Sequence, residues 1–343
     1  MGVMQPLMNQ TEDALQFVTP RSTNHHEFQL RTDPYRRELL VHCYRILGSV
    51  DDAEDALQET LLRAWRRLDT LKVSTSLRAW LYKIGTNVSL DMLDSRKVRM
   101  LPNATFAPAR PHDPLSAPIS EPIWLDPLPD EYLVGHSVNP EARYEARESV
   151  TLAFLTALQA LPGRQRAILI LRDVLDLKAL EVADLLDLSV AAVNSALQRA
   201  RTTMKKKQAV KVPSPNPKRL DNLLTRYVEA WETADTASLM ALLREDAVLT
   251  MPPIPSWYRG RADIKLFLDT VIFAGKPRGF LRLVPTRANG CPAFAVYQRN
   301  EAGQFVPAAL HVLTIDSDQI TQIDDFLTFD SRLFERFNLP ISG

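Results

Sequence analysis

Cysteine is almost missing from this 343-residue chain. The two present, Cys43 and Cys291, lie far apart, which excludes a disulfide framework and a thiolate metal cluster. Glycine is scarce as well, 11 in all, and none of it builds a Gly-rich phosphate loop. His-Glu-x-x-His and Cys-x-x-Cys are also absent, so no metal site, cofactor or catalytic residue is expected. No stretch approaches the roughly 18 continuous apolar residues of a membrane span. The first thirty residues lack a basic segment followed by an apolar run. The expectation is therefore a cytoplasmic protein with no membrane partner.

Net charge is lacking too: 41 basic residues balance 41 acidic ones, so the chain as a whole does not attract polyanions. The charges are nevertheless segregated. Residues 195–219 carry Arg199, Arg201, Lys205, Lys206, Lys207, Lys211, Lys218 and Arg219 with no carboxylate. Residues 101–140 oppose Asp113, Glu121, Asp126, Asp130 and Glu131 to the single base Arg110. The first stretch suits phosphate, and the second repels or imitates it.

The length, with 45% hydrophobic and 24% charged residues, predicts a multidomain globular chain. Residues 1–32 lack periodicity and read as a flexible tail. Residues 33–100 are helical throughout. Ala53, Ala56, Leu57, Thr60, Leu61, Ala64, Trp65 and Leu68 mark one face of a helix over 52–68, placed after an Asp51-Asp52 cap. Leu77, Trp80, Leu81, Ile84 and Val88 mark another. Nine of the 24 prolines fall in residues 101–140, which predicts an extended acidic linker. Helical periodicity returns over 141–208, a second linker covers 209–217, and 218–343 change character. There, helices near 220–233 and 236–243 precede strands near 247–251, 281–285, 292–299, 308–315 and 320–328, the order of an α+β domain.

The sharpest signal lies in residues 189–201. Val193, Ala196, Leu197, Ala200 and Met204 form one apolar stripe at helical spacing, leaving Asn194, Ser195, Gln198, Arg199 and Lys205 on the opposite face. Ala179–Leu186 supplies a supporting helix, Asp187-Leu188-Ser189 the turn, and Arg201 with the following lysines a basic end. This is a helix-turn-helix whose outer face reads base edges and phosphates of duplex DNA.

Four motifs in order, Asp51 to Trp65, Ser76 to Asn87, Leu161 to Arg166 and the recognition helix, resemble bacterial extracytoplasmic-function sigma factors. The Trp124 to Asp130, Pro140 to Tyr144, Val193 to Arg199 and Pro252 to Gly260 segments are similar to the subgroup that carries an appended SnoaL-like domain. Two departures are Gly163, where the family often has a second proline, and Asp176-Leu-Lys-Ala. The implied fold is two all-α sigma domains, a region 2 helical bundle and a region 4 helix-turn-helix, plus a cone-shaped α+β domain of the nuclear-transport-factor-two-like kind.

The resemblance implies partners and roles. Asp55, Gln58, Glu59 and Leu62 would dock on the β′ clamp helices of core RNA polymerase. Promoter DNA would be bound at the minus-thirty-five element by Asn194, Ser195, Gln198, Arg199, Arg201 and Lys205. At the minus-ten element it would be held by Ser74, Thr75, Arg78, Lys83, Asn87 and Arg96, with the loop 72–75 and Asn87 capturing a flipped base. Trp80 reads as core. The acidic linker would thread towards the polymerase active-site cleft. Trp124 would anchor it against another domain, and Trp124, Trp257 and Tyr258 would make regulatory contacts.

The cone fold admits a small-molecule ligand in a C-terminal pocket. His311, Asp246, Asp324, Asp325, Tyr258 and Tyr297 are of the residue types its enzymes use, but a lone strand histidine is more often core, and the reading is not an enzyme. The implied function is promoter-specific initiation, with the fused domain regulating it by its enforced proximity. Two alternatives stay open: a ligand-responsive helix-turn-helix regulator that needs no polymerase, and an enzyme housed in the cone domain.

Overall fold

The computed structural model describes residues 25–71, 76–119, 121, 123–133, 147–207, 216–329 and 331–341. At the start, α1 (His25–Thr32) is a helix within the stretch read as a tail. Glu27 stands in its first turn and Arg31 in its last, each complementing the backbone dipole. Thr32 Oγ1 donates to the Phe28 carbonyl at 3.0 Å.

From residue 35 onward, α2 (Arg36–Leu47), α3 (Val50–Arg66) and α4 (Leu77–Ser95) pack on one another. Every residue of α2 from Leu39 to Leu47 is buried, because helices close on it from several sides. Gly48 ends α2 at φ 76° and donates its N–H to the Tyr44 carbonyl at 2.7 Å. A Cβ there would stand 2.7 Å from Leu125 and 2.9 Å from Gln159, so the position requires glycine for space as well as for conformation. The cap of α3 is Ser49, which accepts from Asp52 N, and not the expected aspartate pair. Asp51 and Asp52 occupy the first turn, where carboxylates favour the helix through its dipole. Ser76 caps α4 in the same way.

The segment following α4 holds a short helix, α5 (Pro102–Thr105), and a 3-10 turn at Asp130–Leu133. It is irregular between them, as its prolines dictate. Next come α6 (Leu152–Gln159), α7 (Gly163–Leu169) running into a π-helical turn at Ile170–Val174, α8 (Ala179–Leu186) and α9 (Val190–Lys207). Gly163 lies against Leu93 and Leu90 of α4, where a Cβ would come within 3.1 Å of Leu93.

The last domain opens with α10 (Pro217–Glu232) and α11 (Thr236–Leu242). Its strands are β1 (Leu243–Met251), β2 (Ile254–Arg259), β3 (Leu281–Ala288), β4 (Cys291–Arg299), β5 (Phe305–Asp316) and β6 (Gln319–Leu327). Between β2 and β3 lies α12 (Arg261–Phe267), and α13 (Arg332–Arg336) follows β6. The sheet order is β2-β1-β6-β5-β4-β3, parallel only at β1/β6. One face buries Tyr227 and Trp231 of α10 with Leu249, Phe267, Phe273, Phe294 and Leu313. On the other face Phe334 packs with Ala295 and Tyr297. The sequence reading missed β2 and α12: Pro252-Pro253 breaks the alternation just before β2, and α12, at seven residues, is too short for a helical repeat to show.

Candidate nucleic-acid and polymerase interfaces

The recognition helix is built as its sequence pattern predicts. Ser189 Oγ accepts from Ala192 N at 3.2 Å, and Asp187, left-handed at φ 54°, turns the chain out of α8. Val193, Ala196, Leu197, Ala200 and Met204 are buried, and α9 packs on α7 and α8. Asn194, Ser195, Gln198, Arg199 and Lys205 are exposed. Arg201 differs from these, because its guanidinium makes two hydrogen bonds to Asp173, at 2.9 and 2.6 Å. Those bonds hold its pKa above the ordinary arginine value. Arg201 thus braces α9 against the π-turn as well as lying on its basic end.

On α3, Asp55 and Gln58 are exposed, and Leu62 is 42% exposed beyond the buried stripe. Glu59 is half-buried and accepts from Arg63 at 2.6 Å; Arg63 also reaches Asp91 at 3.0 Å. The four residues share one face, since they follow each other at three- and four-residue spacing.

The minus-ten candidates are more dispersed. Ser74 and Thr75 lie outside the described residues. Arg78 is held by Glu38 at 2.8 and 2.9 Å and lies 5.0 Å from the centre of the Tyr82 ring. Lys83 donates to the Asp184 carbonyl at 2.8 Å and to Asp187 Oδ1 at 3.0 Å, both at the helix-turn-helix corner. Asn87 is half-buried on the same helix. Arg96 is not beside them: it pairs with Asp52 and lies 3.6 Å from Asp55 on α3. It therefore belongs with the acidic helix as much as with α4.

The tryptophan contacts need correction. Trp124 is buried, but its indole N–H bonds the Ile119 carbonyl and its ring lies 5.9 Å from Phe106, so it folds the linker on itself and does not anchor it to another domain through that bond. Trp257 does the bridging: its Nε1 donates to the Phe106 carbonyl at 2.9 Å and its own carbonyl accepts from Ala109 N at 2.8 Å. Tyr258 lies on the opposite face of the strand from Trp257. Successive strand residues point to opposite faces, and Tyr258 turns into the core to stack on Phe267 at 4.4 Å.

Residues not singled out in the sequence carry the domain joints. Asn289 and Gly290 form the β3–β4 turn at φ 54° and 73°. The fully buried Asn289 donates from Nδ2 to Tyr44 Oη and to the Val150 carbonyl, both at 2.7 Å, and its Oδ1 accepts from Leu128 N at 2.9 Å. Asp130 accepts from Gly290 N at 2.7 Å and from Arg287 at 2.9 Å. Asn-Gly between two strand-like runs signals a tight hairpin, so the turn was legible although its contacts were not. Arg166, 1% exposed, donates to the Leu158, Gln159 and Leu161 carbonyls at 3.1 Å and also to the Ile46 carbonyl at the end of α2. Burial pulls its pKa down to about 10.

Of the enzyme-type side chains in the last domain, His311 and Asp325 come together and the others lie apart. His311 and Asp325 share the α10 side of the sheet, with Tyr227 Oη 2.8 Å from His311 Nδ1 and Asp325 Oδ1 3.5 Å from Nε2. Asp324 faces away and takes bonds from Thr250 and Gln322 at 2.7 Å. Tyr297 bonds the Pro340 carbonyl, and Asp246 pairs with Arg244 at the surface. Among the described residues no His/Cys/Asp/Glu group is placed to hold a metal ion, and no helix is long and apolar enough to cross a membrane.

Comparison with known proteins matches residues 33–99 to Sigma-70 region 2, 151–204 to Sigma-70 region 4, and 224–323 to the SnoaL-like domain. The chain is 42% identical over 329 residues to the ECF RNA polymerase sigma factor SigG of Mycobacterium tuberculosis, covering 94% of this chain and 86% of that one. The chain belongs to the extracytoplasmic-function RNA polymerase sigma factors. This sigma factor is also 24% identical over 174 residues to SigW of Bacillus subtilis, covering 51% of this chain and 84% of the relative. Its fold is similar to the crystal structure of the Mycobacterium tuberculosis sigma factor SigJ, with a TM-score of 0.58 at 22% identity over 92% of this chain and 99% of that one. As a sigma factor it works with core RNA polymerase and promoter DNA in transcription initiation.

Proposed function

We propose that α9 reads the minus-thirty-five element through Asn194, Ser195, Gln198 and Arg199, with Lys205 and Arg201 on phosphates. The observation that carries this is the complete burial of the opposite stripe, which leaves those four side chains as the helix's outer surface. The Asp55, Gln58, Glu59 and Leu62 face docks on the β′ clamp helices. Leu62, 42% exposed among polar neighbours, supplies the apolar point of that face. Arg78, Lys83 and Asn87 on α4 engage the melted minus-ten strand, and Arg96 reaches it from its separate place beside Asp52 and Asp55 of α3.

The fused domain regulates by holding the two sigma domains together. Asn289 ties α2 and the residues preceding α6 to the linker, Arg336 pairs with Asp51 on α3, and Lys83 bonds to the helix-turn-helix corner. In this arrangement Lys83 faces a carboxylate where an open complex would offer phosphate. A pull-down with core polymerase followed by run-off transcription tests the assignment, and truncation after Lys211 tests the regulation. Polymerase affinity and transcript yield should change in the truncated chain; unaltered values would remove the regulatory reading.

A further inference from the structure

The basic run of residues 195–219 does not end with α9. Lys218 and Arg219 belong to the first turn of α10 in the last domain, and with Asn222, Leu223, Arg226 and Asp318 they line an open groove of about 290 Å3. Lys218, Arg219, Asn222 and Arg226 are exposed. Lys218, Asn222 and Arg226 follow at four-residue spacing and so stand in one row along the helix. Asp318 holds Arg219 at 2.7 Å. Among the described residues, the side chains of Lys218 and Arg226 make no hydrogen bond or ion pair within 4.0 Å. Helix stability does not account for the row, since cations favour the last turn of a helix and these begin in the first.

We infer that this α10 groove grips the phosphate backbone of the same promoter duplex that α9 reads, as a sequence-independent contact supplied by the appended domain. This rests on the reading of α9 as the duplex-bound helix. Chain length permits both to lie on one duplex. α9 ends at Lys207 and α10 begins at Pro217, so the two ends can be no more than about 35 Å apart. That distance is about one turn of duplex. A lysine and arginines with an amide between them can donate to a row of phosphates, and contacts to phosphate carry no base code.

The test uses the full chain with core polymerase on a promoter fragment, and measures affinity against salt concentration. Replacing Lys218→Ala and Arg226→Ala together should flatten the log–log salt slope by about 1.8, from about 0.9 per phosphate contact, and leave base preference unchanged. Asp318→Asn, which frees Arg219, should steepen it. An unaltered slope in the double variant overturns the inference. So does a loss of core-polymerase affinity measured without DNA, which would assign the groove to polymerase. Arg199→Ala separates the two readings. If base preference shifts in Arg199→Ala but the double variant keeps the parent slope, only the groove fails. If the slope flattens but preference never shifts, the α9 reading fails instead.

Discussion

Lys83 Nζ stands 3.0 Å from Asp187 Oδ1, joining α4, the helix proposed to engage the melted minus-ten strand, to the corner of the helix-turn-helix. The same ammonium donates to the Asp184 carbonyl at 2.8 Å, at the end of α8 where the helix dipole is negative. A residue suited to phosphate is thus satisfied internally as long as the sigma domains stay together.

Asp187→Asn should loosen that arrangement modestly. The pair is solvent-exposed, and such pairs are worth about 0.2–1 kcal/mol, so the ratio of open to closed molecules should rise by no more than about fivefold. Energy transfer between labels on α4 and α9 reads this directly. No change in transfer, at low as well as high salt, would show that the pair does not contribute to closure.

Asn289→Ala should cost far more. It strands the buried Val150 carbonyl and Leu128 N–H, each at about 1–3 kcal/mol, and forces alanine into a left-handed conformation. Asn289→Gly relieves the backbone but not the lost bonds, so it should fall between parent and alanine variant in thermal unfolding. Equal melting temperatures for all three would contradict the joint described above.

Leu62→Asp should leave stability within about 0.5 kcal/mol, since surface substitutions away from packed features rarely do more. Its affinity for core polymerase should nevertheless drop by about tenfold or more, as expected for the centre of an interface. Fluorescence anisotropy titration against core enzyme gives the number, and parent-like binding would move the docking face elsewhere.

The buried groups of the last domain set opposing pH dependences. Burial pushes Asp325 up to about 7 and Asp324 up to about 6 from 3.8, so the native state keeps protons that the unfolded chain has released. Their contribution is full below about 4 and is lost as pH rises through 6 to 7. Burial pushes His311 down to about 3 from 6.5, so its native form is neutral while the unfolded form is charged, and stability is recovered as pH rises towards 6.5. Asp325→Asn removes one falling component. The stability difference between variant and parent should therefore shift in the variant's favour from pH 4 to 7, by at most about 1.4 kcal/mol per pH unit, and level off above. A difference independent of pH across that range would exclude the assignment.

The helix-turn-helix face was readable because helical periodicity and side-chain chemistry are both local. Val193, Ala196, Leu197, Ala200 and Met204 could bury together only by leaving Asn194, Gln198 and Arg199 outside. The exposed face of α3 was legible for the same reason, although its cap was misplaced because Asp51, Asp52 and Ser49 all suit a helix start. Strand β2 was not legible: its inward and outward positions are both covered, Tyr258 by the core and Trp257 by the linker, so no alternation marks it.

By itself, the sequence determined the helical stripes, the basic and acidic blocks, the proline-rich connector and the order of modules, since each is set by neighbours a few positions away. Tertiary structure alone decided that Lys83 meets Asp187, that Arg96 turns to Asp52, and that Asn289 joins Tyr44, Leu128 and Val150. Those pairings link residues far apart in the chain. Which donor meets which acceptor depends on how three modules dock, and each module's own pattern is satisfied whether or not they do.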